Sequence, residues 1–168
     1  MELMVGSKSP KGLEAARLTE PFFDYIRKVW NCELVTLGHT SFSMIDGFIV
    51  KDNIARGLFE FKSRNAGYGD GRMMFNGTWH DTILISKNKI DAGVQLSAIM
   101  RLPFLLVYGF TQSNTLGYFP VTDRDGNLLL KYEVKLSATN RTVMDTGPLT
   151  GKVVRENCYI PINQIKII

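Results

Sequence analysis

The sequence predicts a mixed α/β fold, a central sheet with helices packed against it. Three observations lead there. Between Pro21 and Trp30, Phe22, Ile26 and Val29 recur at i, i+4 and i+7, the spacing of one helical face. FLLVYGF, residues 104–110, is nearly all apolar, as a strand covered on both faces requires. A second helical pattern, KNKIDAGVQLSAIMRL at 87–102, stands directly before that strand. The chain order is then helix, three strands, helix, apolar strand, which is a layer of helices against a sheet.

The elements follow in order. GLEAARLTE, ahead of Pro21, is also helix-prone, and Pro21 suits the first turn of a helix better than its middle. Residues 11–30 are therefore one kinked helix or two short ones. CELVTLG (32–38) and SFSMIDGFIV (41–50) read as strands, KDN (51–53) as a turn, and IARGLFEFKS (54–63) as a third strand, giving a hairpin. RNAGYGDGRMMFNGTWHD (64–81) is long and glycine-rich, and is expected as a functional or mobile loop. TILIS (82–86) is extended. The 87–102 helix is apolar at Ile90, Val94, Leu96, Ile99 and Met100, and Pro103 ends it. Beyond 110, GYFPVTD (117–123) and LLLKYEVKL (128–136) read as strands around the turn DRDGN. The tail NCYIPINQIKII is expected as an edge strand, because Pro161 cannot donate to a ladder.

A chain of 168 residues fits one domain, with a core over about 11–110 and a C-terminal β extension over about 111–168. An apolar fraction of 45% against 21% charged excludes a disordered chain. The net charge of +4 permits an anionic partner such as nucleic acid without requiring one. No apolar run is long enough to span a membrane, so no membrane partner is expected. The start, MELMVGSKSPKG, lacks the apolar block of a signal peptide, and a cytoplasmic location is the expectation. Cys32 and Cys158 form no CxxC and read as free thiols. A set of Cys32, His39, His80 and Cys158 matches no common zinc spacing.

One stretch breaks its own pattern. In LFEFKSR (58–64), Leu58, Phe59 and Phe61 suit a buried strand, whereas Glu60 and Lys62 do not. Alternation puts Leu58, Glu60 and Lys62 on one face and Phe59 and Phe61 on the other. On the preceding strand Met44, Asp46 and Phe48 share a face. With the turn centred on Asn53, paired residues sum to 106, so Asp46 lies across from Glu60. Two carboxylates that close repel unless a proton or a cation sits between them. Few oxygen ligands with open positions suit Mg²⁺ or Mn²⁺. Lys62, on the same strand, can hold a water or offset charge on a phosphate. An E-x-K pair alone is an ordinary solvated face; Asp46 and the hairpin arithmetic raise it above that.

Asp46 in MIDGF, with Glu60 and Lys62 in FEFKS, resembles the PD-(D/E)XK nuclease superfamily, whose fold is restriction-endonuclease-like. The likeness covers about residues 11–110; Ile45 stands where the family name has proline. The resemblance implies a metal-dependent nuclease acting on DNA, with RNA open, directed to structures or ends. Asp46, Glu60 and the Phe61 backbone carbonyl would hold Mg²⁺ or Mn²⁺, and Lys62 would activate the attacking water. It also implies a further acid on the first helix, Glu20 or Glu14, with Glu20 favoured, and a supporting Gln95 on the second helix. Asn88, Asp91 and Gln95 form a polar stripe there, and Lys87 and Lys89 stand at the helix start, where they could touch phosphate. Arg64, Tyr68, Arg72, Trp79 and His80 are candidates for meeting a nucleic-acid strand by charge and stacking. A homodimer would cut two strands, and a compact enzyme of this kind would suit a phage or mobile element. The alternative is a non-catalytic nucleic-acid-binding or assembly module on the same fold.

Overall fold

The computed structural model describes residues 10–37, 44–140 and 151–168, with backbone alone for 10–16 and 140. Helix α1 (Pro10–Trp30) is continuous, with Pro21 inside it, and Asn31 at φ 49° ends it. Strands β1 (Glu33–Thr36), β2 (Gly47–Lys51) and β3 (Ile54–Arg64) follow. Then come β4 (Gly67–Gly69), β5 (Arg72–Phe75), β6 (Thr78–His80) and β7 (Thr82–Ser86). Helix α2 (Lys87–Met100) leads into β8 (Phe104–Phe110) and β9 (Thr115–Pro120). The chain finishes with β10 (Glu133–Asn140), β11 (Lys152–Pro161), a 3₁₀ turn (Ile162–Gln164) and β12 (Lys166–Ile167).

The architecture is mixed α/β. The main sheet has six strands in the order β1-β2-β3-β8-β9-β12. β3 and β8 run parallel, and every other neighbour in it is antiparallel. β8 is central, and its Phe104, Leu106, Val107, Tyr108 and Phe110 are all buried, as an apolar strand between two layers must be. α1 covers one face through Phe22, Phe23 and Ile26. The Phe23 ring meets Phe59 at 5.9 Å and Phe61 at 5.0 Å, both edge to face. α2 covers the opposite face, where Ile90 packs with Leu58, Phe104 and Leu106. Each buried aromatic or aliphatic side chain contributes about 1.5–3 kcal/mol, so these two clusters fix both helices to the sheet. No helix among the described residues is long and apolar enough to cross a membrane.

Two expectations change. The glycine-rich segment 64–81 is not a loop: it folds into β4-β5-β6, a small antiparallel sheet of its own. Its turns are Asp70-Gly71 (φ 49° and 71°) and Asn76-Gly77 (φ 49° and 76°). Positive φ at both central positions is what a tight hairpin needs, and Asp-Gly and Asn-Gly supply it. The dipeptides were the hairpin signal, and the glycine count obscured it. Near the C-terminus, β10 begins at Glu133 rather than 128, and β11 lies between β10 and β7 in a second three-stranded sheet. Pro161 therefore ends a central strand, where its missing N–H costs no interior ladder bond. The edge strand is β12, paired with β9.

Both cysteines are free thiols. Cys158 is buried beneath α2, and burial pushes its thiol up to about 11, far from a reactive thiolate.

Candidate active site on the third strand

Alternation along β3 works as the sequence suggests. Phe59 and Phe61 pack under α1, and Leu58 packs under α2. Glu60 shares the Leu58 face and is fully buried. Its Oε1 lies 2.7 Å from Lys62 Nζ, and Lys89 Nζ donates to its Oε2 at 3.2 Å. The Oε1 contact is an ion pair without hydrogen-bond geometry, so that buried oxygen has charge beside it but no bond aligned on it. A lone buried carboxylate would cost several kcal/mol, and the two ammonium groups offset that. Both lysines are about one-third exposed, so water reaches the pair.

The hairpin reaches the expected register by a different route. Its turn is the two residues Asp52 and Asn53, with φ of 54° and 60°, which makes Lys51 pair with Ile54 and Val50 with Ala55. A bulge then inserts Arg56, and Ile49 pairs with Gly57, Phe48 with Leu58 and Gly47 with Phe59. These last pairs sum to 106. The ladder ends there: the expected Asp46–Glu60 pair is not part of it, and Asp46 N donates instead to the Phe59 carbonyl at 3.0 Å.

Asp46 is not inside a strand, however. β2 begins at Gly47, and Ile45 and Phe48 both join the cluster under α2, so strict alternation fails between them. The bend turns the Asp46 carboxylate onto the edge of β3, where Oδ2 accepts the Phe61 N–H at 2.7 Å. The acid is thereby fastened to the backbone of the residue between Glu60 and Lys62. In an extended strand a residue's N–H and C=O leave on the same edge, so the Phe61 carbonyl opens toward Asp46 as well. Gly47 permits the bend. A Cβ there would lie 2.2 Å from the Val35 carbonyl oxygen and 3.0 Å from the Phe59 ring. Gly47→Ala is expected to cost about 1–3 kcal/mol, read as a lower urea midpoint at unchanged m.

The second helix contributes Lys89 rather than its polar stripe. Gly93, one turn on from Lys89, lets α2 lie close to β8, since a Cβ there would stand 2.0 Å from the Phe104 ring. Lys89 is on this inner side. Asn88 and Gln95 are exposed, and Asp91 pairs with Lys87. Gln95 lies six residues beyond Lys89, about 120° round the helix, and is turned away from Glu60. Glu20 belongs to α1, on the opposite face of β3; its carboxylate is 60% exposed and meets Arg27 at 2.7 Å. Glu14 falls on α1 where backbone alone is described, and His39 lies outside the described residues.

The remaining candidates divide. Arg64, at the end of β3, donates from Nε to the Tyr108 hydroxyl at 3.2 Å. Burial raises the Tyr108 phenol above its usual range, so it stays protonated at neutral pH. Tyr68 packs its ring 5.3 Å from Phe110 and is half-buried. Arg72 stacks on Trp79 at 5.4 Å, on the outer face of the small sheet. His80 points the other way, into a cleft of about 560 Å³ that Lys62 and Arg64 also line. Lys152, Arg155 and Tyr159 of β11 form another wall of that cleft. Sequence reasoning missed these three, because only the pairing of β11 with β7 carries them to β3.

No family model, curated protein or solved structure matches this chain. Among the described residues no three His, Cys, Asp or Glu side chains cluster as a metal site. The donor set here is two carboxylates and a carbonyl. That suits a hard cation which keeps most of its waters, as Mg²⁺ does, and does not suit zinc. The buried Glu60 Oε1 with no hydrogen bond, and an Asp46 that commits Oδ2 to the backbone, fit such a cation.

Proposed function

We propose that this chain is a metal-dependent nuclease that hydrolyses DNA phosphodiester bonds on a restriction-endonuclease-like core. The observation that carries the reading is the fastening of Asp46 to Phe61 N–H, between Glu60 and Lys62. Asp46, Glu60 and the Phe61 carbonyl would hold Mg²⁺ or Mn²⁺. A divalent cation there supplies Lewis-acid polarisation of the scissile phosphate. Lys62 Nζ, partly exposed, orients the attacking water by hydrogen bonding and offsets the negative charge that builds on the phosphate oxygens. Lys89 holds Glu60 Oε2 and so fixes the orientation of that carboxylate. Glu20 and Gln95 have no part in this mechanism, since neither is turned toward Glu60.

One observation favours a second reading, a non-catalytic nucleic-acid-binding module. Both Glu60 oxygens already have lysine partners, which can stand permanently in place of a cation. Incubating the purified chain with end-labelled single-stranded, duplex, flapped and four-way-junction DNA separates the two. Cleavage in Mg²⁺ or Mn²⁺ that stops with EDTA is expected. Binding without cleavage under every metal condition, for RNA as well as DNA, would favour the module.

A further inference from the structure

The Glu60 carboxylate is closed to solvent, and a lysine head stands where a cation would have to bind. Oε1 has no exposed surface, although Lys62 and Lys89 are each about one-third exposed. The partly exposed group in contact with Oε1 is the Lys62 ammonium, 2.7 Å away. The two lysines are held differently. Lys89 Nζ donates a hydrogen bond to Oε2 at 3.2 Å. Lys62 Nζ meets Oε1 as an ion pair without hydrogen-bond geometry. An ammonium that is paired but not aligned, and already reached by water, gives up little when it returns to solvent. Lys62 also lines the cleft of about 560 Å³, and among the described residues no Asp or Glu does. Its flexible stem can therefore carry the charge into the cleft, where no second carboxylate captures it.

A divalent cation that takes Oε1 as a ligand needs the position this ammonium holds, and like charges so close repel. Asp46 is only half-buried, which leaves an approach from its side. We infer that Lys62 is the exchangeable counter-ion of Glu60: it leaves Oε1 for the cleft when a divalent cation binds between Glu60 and Asp46, while Lys89 stays on Oε2. That exchange rests on the metal-dependent reading above and adds an order to it. Before loading, Lys62 neutralises a buried carboxylate. After loading, the same ammonium is free to meet a phosphate in the cleft, so the cation comes first and the phosphodiester second.

Trace acetylation of lysines, quantified residue by residue by peptide mass spectrometry, reads the exchange without any cleavage. The full chain is labelled in excess EDTA and in saturating Mn²⁺, beside Asp46→Asn. Mn²⁺ is expected to raise Lys62 labelling several-fold. Lys89, which touches the same carboxylate, and Lys51, which is exposed, are expected to keep their rates. Asp46→Asn should remove the rise. A second arm titrates Mn²⁺ into Lys62→Met, shown to be folded by circular dichroism. This variant has no ammonium to displace, so it is expected to bind Mn²⁺ several-fold tighter than wild type, the opposite sign to Asp46→Asn. If Lys62→Met does not fold, the labelling of wild type decides alone. Saturable Mn²⁺ binding with unchanged Lys62 labelling, or with the rise at Lys89 instead, would overturn the exchange and leave the metal site standing. So would a folded Lys62→Met that binds Mn²⁺ no tighter than wild type. Wild type that binds no Mn²⁺ would remove both the exchange and the metal site.

Discussion

Lys62→Ala is expected to lower metal-dependent DNA cleavage by at least about 10²-fold, the scale on which a positioned proton-transfer group or charge donor contributes. Lys62 Nζ is 2.7 Å from Glu60 Oε1 and partly exposed, so it reaches both the buried carboxylate and whatever enters the cleft. The substitution also costs stability. That cost should be smaller than the roughly 3–5 kcal/mol of breaking a fully buried pair, because Lys89 still meets Oε2 and water reaches the lysine head. Activity must therefore be read at a temperature where circular dichroism shows the variant folded. A folded Lys62→Ala that cuts at the wild-type rate would remove this lysine from the chemistry.

Gly93→Ala sets two effects against each other. Replacing an interior helical glycine with alanine normally stabilises by about 1 kcal/mol. Here the new Cβ would lie 2.0 Å from Phe104 Cε1, and Phe104 is fully buried on the central strand. Such overpacking costs about 1–3 kcal/mol and sometimes more, and at this overlap the upper end applies. A net loss of about 2 kcal/mol is expected, seen as a lower urea midpoint. The same shift lifts α2 from the sheet and draws Lys89 away from Glu60. A midpoint equal to or above wild type would mean that α2 does not pack this closely.

Much of the fold was legible because it depends on neighbours in sequence. The Phe22 and Ile26 stripe, the apolar β8 and the two faces of LFEFKSR follow from period alone. The 106 register holds from Ile49 to Gly47 and stops short of Asp46, and it arises through compensating features: the turn is one residue shorter than expected, and the Arg56 bulge restores the sum. A bulge leaves no mark in composition. The bend at Asp46 was equally hidden, because Gly47 reads as a weak strand residue until the Val35 carbonyl is seen against it. Gln95 looked favourable as part of a polar stripe, yet on α2 that stripe is the solvent side, and the group reaching Glu60 is Lys89. Lys152 and Arg155 lay beyond sequence reasoning, since they reach the site through the pairing of two strands that stand far apart in the chain.

Mn²⁺ binding to the full chain, followed by the electron paramagnetic resonance signal of the free ion, is the decisive measurement. Wild type, Asp46→Asn and Glu60→Gln are titrated under conditions where each is folded. Saturable binding at one site is expected in wild type, weakened by about tenfold or more in either variant, as when one of two carboxylate ligands is removed. Folded wild type that binds no Mn²⁺, or variants that bind it as well as wild type does, would contradict a metal site on the third strand.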